Sequence, residues 1–486
     1  MADYLDDLTN FISEFKYVDL SSSAKSSIKK VVMDTIGAMV AGSRLTENSN
    51  LAHLVGKSFG YGDCTLIGHS SKVPAIAATL SNATAGVSLE MDEGNRMGGG
   101  HPGIHVVPGA LSISEEMNIT IKYYPNVDVE TYIVDNEGED NSPDIAIMPN
   151  PQGVTNLGER SLVLPIEKHF SSSYLESIYP QHLIDINTSL LTNINYGAWL
   201  RLFPNSLIWY NVDKYESIGS PEISSYEELL KTTKSIANEG KEPWCLDSES
   251  GVATGWIPSN WVEDILLTRY GPEVYDDWWT LEIKASSDEM LSVFEDVGDL
   301  IFSENFVFGG SKRIIQKEFR NLPKVLMDPT TPCIFIWGGH YSSIYFPDEY
   351  SYKNDYDFFL FPHINHKNSV VGIGDSLVVL NDDPVVWAVM EKLLHKSFGI
   401  YWMNQEDSTF IPANINSNIE NIKNPLTKKE SIIIREAQSK NLFKFDASEL
   451  MSRPIGADYL WSMLRRYIDE GNSSLLNLAK ELDTHY

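Results

Sequence analysis

The hydrophobic pattern changes character along the chain. In residues 23–42 the positions Ile28, Val31, Val32, Ile36 and Met39 recur at three- and four-residue spacing, and Gly42 follows the last of them. That spacing predicts an amphipathic helix with a glycine C-cap. Residues 73–90, rich in alanine, predict a second helix whose small side chains suit close packing. Beyond residue 117 the period shifts. Residues 118–124 alternate as a strand, 128–136 suit a short helix, and the apolar run 143–149 predicts a strand ending in a polar loop at 150–153. Residues 200–211 read as another strand. Ser225 with Glu228 three residues later marks a capping-box helix start. Helices are predicted over 260–270 and from Ser287 onward, the latter with Leu291, Val293, Val297 and Ile301 as its apolar face. Strands alternating with helices at this spacing predict an α/β architecture with parallel or mixed sheets, preceded by an all-α fragment.

Composition sharpens the division. All 11 tryptophans of the 486-residue chain fall after residue 117. Two segments of different origin are expected, 1–117 and 118–486. The formal net charge of -30 argues against nucleic acid as a partner, because phosphate contact needs clustered lysine and arginine. No run of about 18 apolar residues predicts a membrane-spanning helix. The acidic start, Met1 to Asp7, lacks the basic and apolar regions of a signal peptide, so none is expected. His363 and His366 have no carboxylate or cysteine at ligand spacing, and neither a metal nor a cofactor is expected.

Residues 243–261 gather Trp244, Trp256 and Trp261 among serine, threonine, asparagine, Asp247 and Glu249. Indole faces with hydroxyl, amide and carboxylate groups between them suit a sugar, whose C–H faces stack and whose hydroxyls accept and donate. The same rings also suit an aromatic core loop. Trp256 and Trp261 are the leading stacking candidates, and Trp337, before Gly338 and Gly339, is a third. Asn150 and Gln152, on the loop after a strand, are candidate hydroxyl partners, as are Glu249 and Asp375. A turn-capping role suits Asp375 equally.

In the first segment, Asp92 and His101 flank a glycine-rich turn and can place an acid and a base around one substrate. A glycine-rich connector with a satisfied histidine has the same appearance. Asp34-Thr35-Ile36-Gly37, residues 62–68, Asn82 and the Asp92…His101-Pro102-Gly103 signature together resemble the MmgE/PrpD superfamily, over about residues 5–116. The resemblance implies that Asp92 and His101 occupy active-site positions of a dehydratase, decarboxylase or epimerase of small di- and tricarboxylates, with Arg96 nearby. The family's several hundred further residues have no counterpart here. Half a site cannot align a substrate, so this segment is expected to be inactive.

In the second segment, Pro143-Asp144-Ile145-Ala146, residues 206–211, Pro243-Trp244-Cys245, Thr254-Gly255-Trp256, residues 271–276, 355–359, 372–375 and 443–451 occur in the order and register that resembles extracellular solute-binding proteins of carbohydrate ABC transporters, the α-glucoside type above all. The resemblance implies a type II periplasmic-binding-protein fold of two lobes closing on an oligosaccharide, with a membrane permease as partner and the periplasm as location. Crossings between lobes are expected near residues 205, 365 and 410. Lobe one is then 118–205 plus 366–410, and lobe two 206–365 plus 411–486. Cys245 and Cys333 fall in one lobe, and an oxidising compartment would join them. That family opens with a first strand and helix that have no counterpart here, so the join near residue 117 reads as a chimera.

Overall fold

A computed structural model describes residues 34–89, 104, 107–109, 111–112, 129–139 and 142–486. The chain divides into two compact units, Met1–Pro143 and Asp144–Tyr486. Asp92, Arg96 and His101, and the strand expected at 118–124, lie outside the described residues.

In the first unit residues 34–42 are helical. They are followed by helix α1 (Thr46–Phe59), strands β1 (Cys64–Thr65) and β2 (Lys72–Val73), and helices α2 (Ala75–Val87) and α3 (Val129–Asp135). The alanine run packs as its small side chains predict: Ala75, Ala77 and Ala78 of α2 share a core with Ala52 and Val55 of α1. Asn82 ties α2 to the β1–β2 hairpin. Its side chain accepts from the Ile67 amide at 2.8 Å and donates to the Thr65 carbonyl at 2.9 Å. Cys64 is a buried thiol that donates to the Ser112 carbonyl.

The second unit is built on two sheets. Its elements, in order, are strand β3 (Ile145–Met148), helix α4 (Pro151–Glu159), strands β4 (Ala198–Pro204) and β5 (Leu207–Asn211), and helices α5 (Tyr226–Asn238), α6 (Trp256–Tyr270), α7 (Pro272–Trp279) and α8 (Asp288–Phe302). Strands β6 (Phe335–Gly338), β7 (Tyr356–Leu360) and β8 (Val370–Val379) follow, then α9 (Pro425–Ser439), β9 (Phe443–Phe445), α10 (Ala447–Leu450) and α11 (Trp461–Glu470). The long strand β8 organises the first sheet. β3 and β4 pair with it antiparallel, and β9 pairs with it in parallel, Val370 opposite Phe443. The second sheet is β6-β5-β7, antiparallel throughout.

Local chemistry starts and stops these elements. Ser225 and Glu228 form both bonds of the capping box at α5. Ser287 caps α8, whose Met290, Val293, Val297 and Ile301 are buried, while Leu291 is only partly covered. The apolar run 200–211, read as one strand, is two strands in different sheets: β4 belongs to the first and β5 to the second. Pro204 ends β4, and the chain passes between sheets through Asn205 and Ser206. It returns between β7 and β8, over residues 361–369. Beyond residue 410, where a further crossing is expected, β9 pairs with β8 in the first sheet. Ile434 and Ala437 of α9, with Phe443 and Phe445, are buried in the core of the first sheet, while Leu426 of the same helix packs with Trp209 and Phe358 of the second.

A disulfide joins Cys245 to Cys333, with Cα atoms 5.4 Å apart. It ties the turn at Trp244 to the segment entering β6, where the Cys245 amide donates to the Phe335 carbonyl at 2.8 Å. Reduction, or the pair Cys245→Ala and Cys333→Ala, is expected to cost about 2–4 kcal/mol, the range for closing a long loop. Urea unfolding with and without reductant measures it. An unchanged midpoint would show that the surrounding core alone holds this turn.

Candidate functional site

Two glycines bring an aromatic corner to the first crossing. Gly255 precedes α6, and a Cβ there would run into the Trp461 backbone carbonyl, so only glycine admits the approach of the two segments. Trp256 then opens the helix, half-buried, with Pro258 in the first turn, where its missing N–H costs nothing. The Trp256 ring stands edge-on to Tyr341 at 4.7 Å and to Phe319 at 5.3 Å. Tyr341 belongs to the short 3-10 turn His340–Tyr345 that follows β6. Between them Gly339 lies against Asn205, since a Cβ at 339 would meet the Asn205 Oδ1 and the Tyr341 ring. Asn205 is 1% exposed, and neither atom of its amide has a protein partner. Such an orphaned amide costs about 1–3 kcal/mol unless something arrives to bond it.

Beneath this corner lies a cluster of buried carboxyls. Asp264 accepts from the Ser206 hydroxyl and from the Trp337 indole N–H, the latter at 2.7 Å. Glu263 accepts from the Tyr275 hydroxyl at 2.8 Å and the Ala447 amide at 2.9 Å. Asp446 accepts from the Asn260 amide at 2.6 Å and the Ser448 hydroxyl at 2.6 Å. Burial pushes the Glu263 carboxyl well above the usual carboxylate range, and the neighbouring Asp446 charge pushes it the same way. Burial raises Asp264 to about 7 against the pull of its Ser206 and Trp337 bonds. Glu449 is raised to about 8, first by burial and then by Asp446, with Arg453 opposing.

The chain is similar to proteins of two kinds. Residues 6–133 match the MmgE/PrpD N-terminal domain. Over 368 residues the chain is 29% identical to the alpha-glucosides-binding periplasmic protein AglE of Rhizobium meliloti, covering 74% of this chain and 79% of that protein. It is 25% identical over 329 residues to the osmoprotective compounds-binding protein GgtB of Synechocystis, covering 67% and 76%. Among solved structures, the bacterial solute receptor AcbH, described as having an exclusive preference for β-D-galactopyranose, superposes with a TM-score of 0.62 at 12% identity. That match covers 76% of this chain and 90% of AcbH. The larger unit has the fold of a type II periplasmic solute-binding protein. The chain passes from its first sheet to its second at 205–206 and returns over 361–369.

The binding-protein fold places the tryptophans of the sequence motif differently. Only Trp256 is partly open. Trp261 and Trp337, expected at the ligand, are 0% and 1% exposed. They stack on each other at 5.7 Å, and Trp337 also stacks on Phe361 at 4.6 Å. Their indole N–H groups are taken by the Trp337 carbonyl and by Asp264. Both rings are core, because the apolar interior of this lobe closes over them and supplies each N–H with an acceptor. Trp244 is buried too, its N–H on Thr233.

The polar candidates are dispersed. Asp375 pairs with Arg201 across β8 and β4, and the Arg201 guanidinium lies 5.0 Å from the Phe203 ring. Phe203 in turn stacks at 4.6 Å on His340, beside Tyr341, so this strip of the first sheet reaches the aromatic corner's own turn. Asn150 caps α4 by accepting from the Gly153 amide, with half-buried Gln152 in the first turn of that helix. Glu249 accepts from the Gly251 amide and is half-buried. Asn205 and Tyr341 were not legible as site residues. Asn205 stood in a run read as strand, and Tyr341 two residues past a glycine pair whose partner only the crossing reveals. Among the described residues no group of three or more His, Cys, Asp or Glu side chains could hold a metal ion, and no helix is long and apolar enough to cross a membrane.

Proposed function

We propose that the larger unit captures a carbohydrate reversibly, as the soluble receptor of an ABC importer, and presents it to a membrane permease in the periplasm. The ligand class is an oligosaccharide of the α-glucoside type. The observation that carries the reading is the corner at the first crossing: a partly open indole, a tyrosine edge and an unpartnered side-chain amide, drawn together by glycines packed on the Trp461 backbone and on Asn205. The sugar-binding relatives support it. Trp256 is the stacking face, Asn205 takes a hydroxyl, and Gln152, Glu249 and the Arg201–Asp375 pair supply further hydrogen bonds as the lobes close. Trp261 and Trp337 act from behind, fixing β6 and α6.

A second reading attaches to the first unit, whose match to the MmgE/PrpD N-terminal domain favours chemistry on small carboxylates through Asp92 and His101. Calorimetric titration of the full chain separates the two. Heat with maltose or trehalose and none with cis-aconitate or methylcitrate is the expected result. Silence with every sugar, together with turnover of a carboxylate, would reverse the assignment.

A further inference from the structure

The run Ser189-Leu190-Leu191-Thr192-Asn193 sets two leucines among polar residues, and both stand in solvent, 81% and 80% exposed. The hairpin that carries them is fixed by its own bonds. Thr188 and Asn195 bridge its arms antiparallel. The Ser189 amide donates to the Ile194 carbonyl at 3.0 Å, and the Asn193 amide donates to the Ser189 carbonyl at 2.8 Å. Asn193 takes the left-handed conformation at φ 55°, which asparagine tolerates in a turn. The Ser189 hydroxyl donates to Glu159 at the end of α4 and accepts from the Leu191 and Thr192 amides, at 3.1 Å each. At the base, buried Asn187 donates to the Ser376 hydroxyl of β8 at 2.9 Å, which ties the hairpin to the first sheet. A loose turn would fold two leucines back onto the surface to escape water. These bonds hold them out.

Beside β4 the same unit has a hollow of about 210 Å³, lined by Leu200, Leu393, Phe398, Phe410 and Pro412. Leu200, Leu393 and Phe398 are only partly covered, so part of this apolar wall meets solvent. Small-molecule pockets run to about 300–1,000 Å³, which leaves this one too small for an oligosaccharide and suited to an apolar side chain. Trp199 also lines it, and its indole N–H donates to the Leu183 carbonyl at 2.6 Å, so hollow and hairpin arise from one stretch of chain, 183–199. Their borders differ in charge. Around the hairpin, Glu159, Glu167 and Asp185 are exposed carboxylates, with Glu167 accepting from the Asn195 amide. Lys168 is paired with Asp382, which leaves Arg160 as the counter-charge there. Around the hollow, His395 is a lining residue, and its neighbours Lys392 and Lys396 are exposed and form no ion pair among the described residues. The lining segment Phe410 to Ser417 carries no charge. Of the acids next along the chain, Glu391 is engaged by His169, and Asp407 lies three residues before Phe410.

We propose that two copies of this chain pair through these elements, each seating its Leu190–Leu191 hairpin in the hollow of the other. An apolar knob with an acidic border and an apolar socket with a basic one complement each other, and both are present on every copy. Reciprocal insertion gives a closed two-fold dimer with two identical contacts. The hairpin is ordered beforehand, so little conformational freedom is lost on association. A contact this small is below the area of about 1,000 Å² expected of a permanent interface, and the dimer is therefore weak and reversible. The acidic border disfavours an anionic lipid surface as the partner of the leucines. Pairing uses none of the residues of the aromatic corner, so it is separate from ligand capture.

Sedimentation velocity of the full chain over rising concentration tests the pairing. A reversible monomer–dimer equilibrium is expected, and Leu190→Ser with Leu191→Ser is expected to weaken it by about 10-fold or more. Both side chains are exposed, so an unchanged circular dichroism spectrum is expected of that variant. Lys392→Glu with Lys396→Glu, which turns the border of the socket acidic, is expected to weaken the dimer as well. A mixture of the two variants sets one intact knob against one intact socket, and its association is expected to exceed that of either variant alone. A wild-type chain that stays monomeric throughout, or a dimer that the leucine variant leaves unchanged, would overturn the pairing. A ladder of ever larger species would also overturn it, since the contact would then be head to tail. Binding of the wild type, and not of the leucine variant, to vesicles of phosphatidylcholine and phosphatidylglycerol would assign the leucines to lipid and overturn it too. None of these readings depends on which ligand binds.

Discussion

Trp337→Ala is expected to lower the unfolding free energy of the larger unit by about 3–5 kcal/mol, the range for emptying a large aromatic site in a core. The ring is 1% exposed and stacks on Phe361 and Trp261, so its removal opens a cavity that two other aromatics must fill or face. The substitution also strips Asp264 of its 2.7 Å indole donor while leaving the carboxyl buried. An abandoned buried acceptor adds a penalty of about 1–3 kcal/mol beyond the cavity. Trp337→Phe separates the two effects. It keeps most of the packing and loses the N–H, so it is expected to cost less than the alanine variant and to push the Asp264 pKa above its value of about 7. Denaturant midpoints of the three proteins provide the check. Equal stability of Trp337→Ala and wild type would mean that the indole belongs to the ligand site and not to the core.

Trp256→Ala is expected to do the opposite: to spare the fold and remove the ligand. The ring is half-buried and makes only edge contacts with Tyr341 and Phe319, so a stability loss of about 1 kcal/mol is anticipated. Sugar affinity is expected to fall by about 10- to 100-fold, equivalent to about 1.4–2.8 kcal/mol of stacking and desolvation. Trp256→Phe, which retains a flat apolar face, should recover part of that loss. Calorimetry against the sugar that gives heat with the wild-type chain measures both variants. Undiminished affinity in Trp256→Ala would move the stacking face elsewhere in the cleft.

The contrast between these tryptophans shows what a linear pattern carries. Trp256 and Trp261 are five residues apart, and the same polar neighbours surround both. Nothing local distinguishes them. Their fates differ because Trp256 opens α6, where Gly255 presses against Trp461, whereas Trp261 lies a turn and a half deeper, where Trp337 arrives from β6, 76 residues along the chain. Likewise the pattern that predicts a helix over 260–270 assigns no role to Asn260, Glu263 or Asp264. They are turned inward, where the Ser206 hydroxyl meets Asp264, the Ala447 amide meets Glu263, and Asn260 donates to Asp446.

Periodicity and capping by themselves determined the elements: the alanine helix α2, the capping box of α5, the Ser287 start of α8, and a mixed α/β unit following a helical one. Local signals further mark where strands end: Pro204 closes β4, and the chain leaves the first sheet there. Tertiary structure alone decided the pairing of β9 with the first sheet, the burial of Trp261 and Trp337, and the convergence of Asn205, Gly339 and Tyr341. Each of these is a choice between alternatives of equal local energy. The apolar surface and hydrogen-bond donors that long-range neighbours bring settle it, and those neighbours leave no trace in the spacing of the residues they meet.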